Sequence, residues 1–213
     1  MTDARATTLS RIRAALGRAD GSAGAPDERA FAGPVRPAIP EKDPRARFVA
    51  KLEAVAGAVV RVAGLARVPE VVLRYLERHG LPHRLVASRD PILAAIPWPE
   101  GITLRHGPAR DGDRVSITGA FAAVAETGSL VLCAGEDTPT TLNFLPEDHI
   151  VVLGADRIVP YMEDVWPLIE AAFLAWPRTV NFITGPSRTG DIEQTMQLGA
   201  HGPRRLLVIL LNS

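Results

Sequence analysis

The sequence predicts an α/β fold, an open mixed or parallel sheet flanked by helices. Three observations carry this. Short apolar runs recur at residues 115–118, 129–133, 150–153, 180–183 and 206–211, and most lack the polar alternation of a half-exposed strand. Strands buried on both faces of a sheet have that appearance. Segments with helical spacing fall between several of them, at residues 120–125, 161–175 and 191–198. The length of 213 residues suits one α/β domain with small additions.

In chain order, residues 7–17 predict a short amphipathic helix. Leu9, Ile12, Ala15 and Leu16 share one face, and Arg11, Arg13 and Arg18 lie mostly elsewhere. Residues 17–42 hold four Gly and four Pro and predict an extended linker. Residues 1–42 are thus a helix and flexible linker, the helix docking on its own domain or on another chain. A compact domain follows over residues 43–213. Asp43 and Pro44 form a helix entry, a capping carboxylate followed by proline in the first turn. Phe48, Leu52, Val55 and Ala56 give that helix an apolar stripe, ending at Gly57. A strand at 58–62 leads to a helix opened by Pro69 and stopped by Gly80. Weaker strands at 85–87 and 102–106 flank a short helix at 90–96. Within 161–175, Pro167 predicts a kink or a restart.

Composition removes several functional classes. Twenty-four basic residues balance 24 acidic ones, which argues against nucleic acid as the main partner. No apolar run approaches the roughly 18 residues of a membrane span, and the N-terminus shows no secretory apolar core. The expected setting is cytoplasmic and reducing. The single cysteine, Cys133, cannot form an internal disulfide or hold an iron–sulfur cluster, which usually takes four cysteines. It is either a small buried hydrophobe or a nucleophile. The five His are scattered, so no metal site is predicted, and there is neither a Walker loop nor a G-x-G-x-x-G turn.

The polar binding capacity concentrates in Thr184-Gly185-Pro186-Ser187-Arg188-Thr189-Gly190-Asp191-Ile192-Glu193. After an apolar run and before helical spacing, this predicts a strand, a tight turn and a helix start. Glycines allow close backbone approach, and Ser187, Thr189, the first free helix amides and Arg188 can hold an anion. The alternative is a well-capped helix, with Asp191 as cap and Gln194 completing a capping box. A second candidate is Ala125-Glu126-Thr127-Gly128-Ser129. Glu126 there is a general base, nucleophile or polar ligand, or a solvated residue in a helix-to-strand turn. A third is Gly199-Ala200-His201-Gly202-Pro203, where His201 is a proton shuttle or ligand contact, or is simply exposed. His149, opening the run to 153, has a structural role. Both Thr184-Gly185 and Thr118-Gly119 are expected at carboxyl ends of strands, where such sheets bind ligands.

Together these segments resemble the LUD family. The residues that carry the resemblance are Ser10-Arg11-Ile12-Arg13-Ala14-Ala15-Leu16-Gly17, Ala125 to Ser129, Pro146-Glu147-Asp148-His149-Ile150, Gly185 to Glu193 and Gly199 to Pro203. It departs from the family's pattern at Gly190, where Ala is expected, and Pro167 is unusual inside its helix.

The resemblance implies a fold similar to that of CoA transferases and ribose-5-phosphate isomerase. It implies a component of an L-lactate utilisation system that supports oxidation of L-lactate to pyruvate. With one cysteine here, no cofactor is expected in this chain, and iron–sulfur clusters are expected on partner subunits. On this reading Glu126 and His201 are the catalytic candidates. Thr127, Thr184, Gly185, Ser187, Arg188, Thr189, Asp191 and Glu193 bind a small carboxylate or a phosphate-bearing ligand. Two other readings stay open. One is a self-sufficient enzyme on a CoA-transferase-like fold, acting on a phosphorylated sugar or acyl thioester with Glu126 as its carboxylate. The other is a non-catalytic carboxylate sensor.

Overall fold

The structure, a computed structural model, describes residues 4–15, 36–39, 43–190, 196–199 and 201–212. The chain divides into two compact units, Met1–Ala38 and Ile39–Ser213. In the first, α1 spans Ala4–Ala15 and buries none of its residues. Leu9 and Ile12 are exposed. Gly17 and most of the expected linker lie outside the described residues.

The second unit opens with α2 (Pro44–Ala54). Asp43 caps it, its carboxylate accepting a 3.0 Å hydrogen bond from the Arg45 amide. Then come β1 (Ala58–Val62), α3 (Val68–Arg78), β2 (Arg84–Ala87), α4 (Pro91–Ala94), β3 (Thr103–His106) and β4 (Val115–Gly119). After β4 follow β5 (Ala122–Val124), β6 (Ser129–Cys133), α5 (Thr141–Phe144), β7 (Asp148–Gly154) and β8 (Ile158–Val159). The unit closes with α6 (Val165–Ala172), β9 (Val180–Ile183), β10 (Arg188–Gly190), β11 (Met196–Leu198) and β12 (Arg205–Leu211).

Six strands form a wholly parallel sheet in the order β1-β12-β7-β4-β2-β3. Four more form a mixed sheet, β8-β5-β6-β9, with β5 parallel to β8 and antiparallel to β6, and β6 antiparallel to β9. The apolar runs are therefore strands as expected, shared between two sheets.

Layering follows from which side chains each face presents. Ile117, Ile150, Val152, Leu207 and Ile209 pack on one side of the parallel sheet with Val68, Val72 and Leu76 of α3 and Leu93 of α4. On the other side Val151, Leu153, Val208 and Leu210 meet Phe48 and Leu52 of α2 and Ala123, Leu130 and Leu132 of the mixed sheet. The outer face of the mixed sheet, Ala122, Val124 and Val131, is covered by Val165 and Ile169 of α6.

Three expected helices need correction. Residues 120–125 contain a strand, β5, because Ala122, Ala123 and Val124 are fully buried between strands on both sides. Pairing outweighs the modest helix preference of alanine. The 161–175 helix shortens to Val165–Ala172, after a 3-10 turn at Met162–Asp164. Pro167 falls in its first turn, where the missing N–H has no intrahelical role, so it starts the helix without kinking it. The 191–198 helix is replaced at its described end by a hairpin in which Arg188 faces Leu198 and Gly190 faces Met196. Met196, Gln197 and Leu198 alternate apolar, polar, apolar, which suits a strand as well as a helix, and Gly190 disfavours a helix start. Residues 191–195 lie outside the described residues, and with them the Asp191 cap and its Gln194 partner.

Two buried polar groups sit on the central strand β7. The Asp148 carboxylate, fully buried, accepts from the Tyr75 hydroxyl of α3 at 2.6 Å and from Arg205 Nη2 of β12 at 2.7 Å. Burial and that hydrogen bond push the Tyr75 hydroxyl up, and the bond to Asp148 raises Arg205. One residue on, the His149 imidazole is fully buried and shares a 2.9 Å hydrogen bond with the Thr118 hydroxyl through Nε2. Its Nδ1 has no partner among the described residues. Burial lowers the imidazole from 6.5 to about 3.

An unfolded histidine takes up its proton near the usual value, and the folded one does so only well below it. Between those limits the unfolded state holds one more proton, so stability is complete above the unfolded value and falls as pH drops. The slope is about 1.4 kcal/mol per pH unit for one group. Urea denaturation of the wild-type and His149→Gln chains at pH 7.5, 6.0 and 5.0 checks this: the wild-type chain should lose stability more steeply, by the slope of one proton.

Candidate functional site

The turn after β5 and the end of β9 come together. Ser129 opens β6, and its hydroxyl lies 2.7 Å from that of Thr127 and 2.5 Å from that of Thr184. This row of three hydroxyls follows from register, because Leu130 pairs with Ile183 and so brings Ser129 beside Thr184. Gly128 (φ +74°) and Gly185 (φ +89°) both adopt the left-handed conformation that favours glycine. Gly128 lies against α2 and Gly185 against Val55, the C-cap of that helix. A Cβ on Gly128 would sit 2.7 Å from the Leu52 amide nitrogen, and one on Gly185 would sit 2.9 Å from the Val55 carbonyl oxygen.

Glu126 is half-buried at this turn, its amide donating to the Pro160 carbonyl at 3.0 Å. Ser187 instead joins the loop before β12. Its amide donates to the Pro203 carbonyl at 2.8 Å, its carbonyl accepts from the Gly199 amide at 3.0 Å, and its hydroxyl accepts from the His201 amide at 3.4 Å. Arg188 and His201 are exposed.

The expected residues therefore fall into two groups: Thr127 and Thr184, joined through Ser129 and with Glu126 next in sequence to Thr127, and Ser187 with His201. No hydrogen bond among the described residues links the two. Thr189 lies on β10, its side chain outside the described set, and Asp191 and Glu193 lie outside the described residues. The two expected strand ends also separate, Thr118-Gly119 in the parallel sheet and Thr184-Gly185 in the mixed one.

The parallel sheet has its own crevice, whose lining the sequence reading largely missed. From β2 the chain continues through α4, on the α3 side. From the neighbouring β4 it crosses to the mixed sheet, on the opposite side. Connections that diverge from adjacent carboxyl ends open the cleft where α/β sheets bind ligands. A cavity of about 300 Å³ lies there, lined by Asp90, Thr118, Cys133, Asn143 and the loop after β6. A wider cleft of about 710 Å³ shares Asp90, Gly119, Ala120 and Phe121 with it and runs past the ends of β7 and β12. Asp90 Oδ2 spans the crevice, accepting from the Gly119 amide at 2.8 Å and from the Ser88 hydroxyl. Burial raises the Cys133 thiol to about 11, so it is protonated at neutral pH. That disfavours the nucleophile reading. The sequence signal for this cavity was Thr118-Gly119 at a strand end. Asp90 and Asn143 carried none, because only folding brings them together.

Among the described residues no group of His, Cys, Asp and Glu side chains gathers as a metal site would. No described helix is long and apolar enough to cross a membrane.

Residues 114–211, from just before β4 to the end of β12, match the family model of the LUD domain. The chain carries a LUD domain. The domain thus includes Glu126, Thr184, Ser187, Arg188 and His201 and, of the cavity, Thr118, Cys133 and Asn143, while Asp90 lies before it. The chain is similar to lactate utilization protein C of Geobacillus sp. (strain WCH70), 37% identical over 101 residues, which are 46% of this chain and 42% of that protein. Lactate utilization protein C of Bacillus velezensis is 31% identical over 128 residues, 54% of this chain and 53% of that one. The match thus spans about half the length of the curated relatives. A crystal structure of a DUF162 family protein from Deinococcus radiodurans superposes with a TM-score of 0.55 over 78% of this chain and 98% of that one, at 23% identity. It shares the fold.

The LUD-domain turn rests on Gly128. Gly128→Ala would strain a left-handed backbone and push a methyl group into the α2 backbone, costing roughly 2 kcal/mol or more. A shift of the urea midpoint at unchanged slope is the measurement.

Proposed function

We propose that this chain is a component of an L-lactate utilisation system and supports oxidation of L-lactate to pyruvate in the cytoplasm. The observation that carries the reading is the similarity of its LUD domain to proteins named lactate utilization protein C. Electron transfer belongs to iron–sulfur partner subunits on this reading, since one cysteine cannot hold a cluster. This chain supplies the LUD domain and a binding site for a small carboxylate or phosphate-bearing ligand. That site comprises Thr127, Thr184, Gly185, Ser187, Arg188 and Thr189, with Asp191 and Glu193 following. Glu126 and His201 are its proton-handling groups. The exposed Arg188 guanidinium supplies the positive charge, and the hydroxyls of Thr127 and Thr184, bridged by Ser129, supply neutral donors.

Deleting the chain should abolish growth on L-lactate and leave growth on glucose intact. A tagged chain from lactate-grown cells should bring down cysteine-rich subunits with iron and acid-labile sulfide. Normal lactate growth of the deletion strain, together with a pull-down free of iron, would sink the reading. Arg188→Ala should weaken lactate-dependent growth while leaving thermal stability unchanged, as expected for an exposed side chain that contacts a ligand.

A further inference from the structure

We infer that the cavity at the carboxyl ends of β2, β4 and β6 is a binding site for a neutral nucleoside, distinct from the carboxylate site above. The Asn143 side chain is the first ground. The residue is 4% exposed and lines the cavity, and its amide has no hydrogen bond among the described residues. An amide in the cavity lining that bonds no protein group is left to water, which a ligand offering both a donor and an acceptor can replace. Asp90 is the second. Its Oδ2 is engaged by Gly119 and Ser88, while Oδ1 has no hydrogen bond among the described residues and is left to accept from a hydroxyl. A carboxylate oxygen and an amide lining one cavity suit the adjacent hydroxyls of a ribose ring. Phe121 and Phe173, with ring centroids 5.5 Å apart, also line the cavity and offer apolar surface to a flat base.

Charge selects against the alternatives. Asp90, Glu136 and Asp137 line the cavity, and among the described residues no Lys, Arg or His does. Arg89 approaches Asp137 only to 3.9 Å, and both side chains are more than half exposed. Lactate, pyruvate or phosphate would enter against three carboxylates. The volume of about 300 Å³ lies at the lower end for ligand pockets, and the wider cleft sharing Asp90 and Phe121 gives room for entry.

Cys133 lines the cavity and is the chain's single thiol, so its modification reports on this place alone. The full-length chain is treated with a small methanethiosulfonate, and the rate of Cys133 labelling is followed by mass spectrometry. Adenosine at about four times its dissociation constant should slow labelling about fivefold. 2′-Deoxyadenosine, L-lactate and inorganic phosphate should leave the rate within about twofold, since each either lacks the vicinal hydroxyls or is anionic. Asn143→Leu, which keeps the volume and removes the amide, should label at the wild-type rate and lose the adenosine effect. If that variant does not fold, the four compounds on the wild-type chain decide. The inference is overturned if adenosine gives no protection, if deoxyadenosine or either anion protects equally, or if folded Asn143→Leu remains protected. It is overturned too if the reagent never reaches Cys133, because a cavity closed to it admits no nucleoside. None of these outcomes bears on growth on lactate.

Discussion

The carboxylate of Asp148 holds the second unit together at the amino edge of its parallel sheet. A fully buried charge is tolerable only when paired and hydrogen-bonded. Here it is paired by Arg205 from the adjacent strand and satisfied further by Tyr75 from the covering helix. These bonds fix β7 to β12 in register, Asp148 opposite Arg205, and set α3 across them. The register of β7 on β4 places His149 beside Ser116, two residues from Thr118, whose hydroxyl shares a hydrogen bond with its imidazole. Directional polar bonds thus set an alignment that the uniform Ile, Leu and Val side chains of the core would leave free to slip.

Strands were legible wherever apolar runs were short and bounded by polar or glycine residues. The spans 58–62, 129–133 and 180–183 coincide with β1, β6 and β9. The division into two sheets was not legible. The run ending at Cys133 looks like the run at 150–153, and burial on both faces conceals which neighbour a strand takes. Helix errors arose where local preference and tertiary pairing disagreed, as for Ala122 and Ala123, or where a three-residue pattern fitted two periods, as for residues 196–198.

The candidate site was legible in part for a related reason. The segments of Glu126 and Thr184 were each conspicuous as polar turns with glycine beside strands, and register brings them together. Long-range placement was not readable from composition, so Ser187 and His201 form their own hydrogen-bonded group. Asp90 precedes α4, Cys133 ends β6 and Asn143 lies in α5. Each looks ordinary in its local sequence, and only the divergence of chain direction between β2 and β4 makes them neighbours.

The parallel sheet places β12 between β1 and β7, so its final strand fills an interior slot. Until residues 205–211 leave the ribosome, β1 has no neighbour in this sheet and β7 presents an open, apolar edge. The unit therefore cannot close progressively from its N-terminus as it is made. Until then its nascent form carries an unpaired strand edge, the condition in which chains pair with one another. Late insertion of a central strand makes production of this fold sensitive to anything that removes or delays residues 205–211.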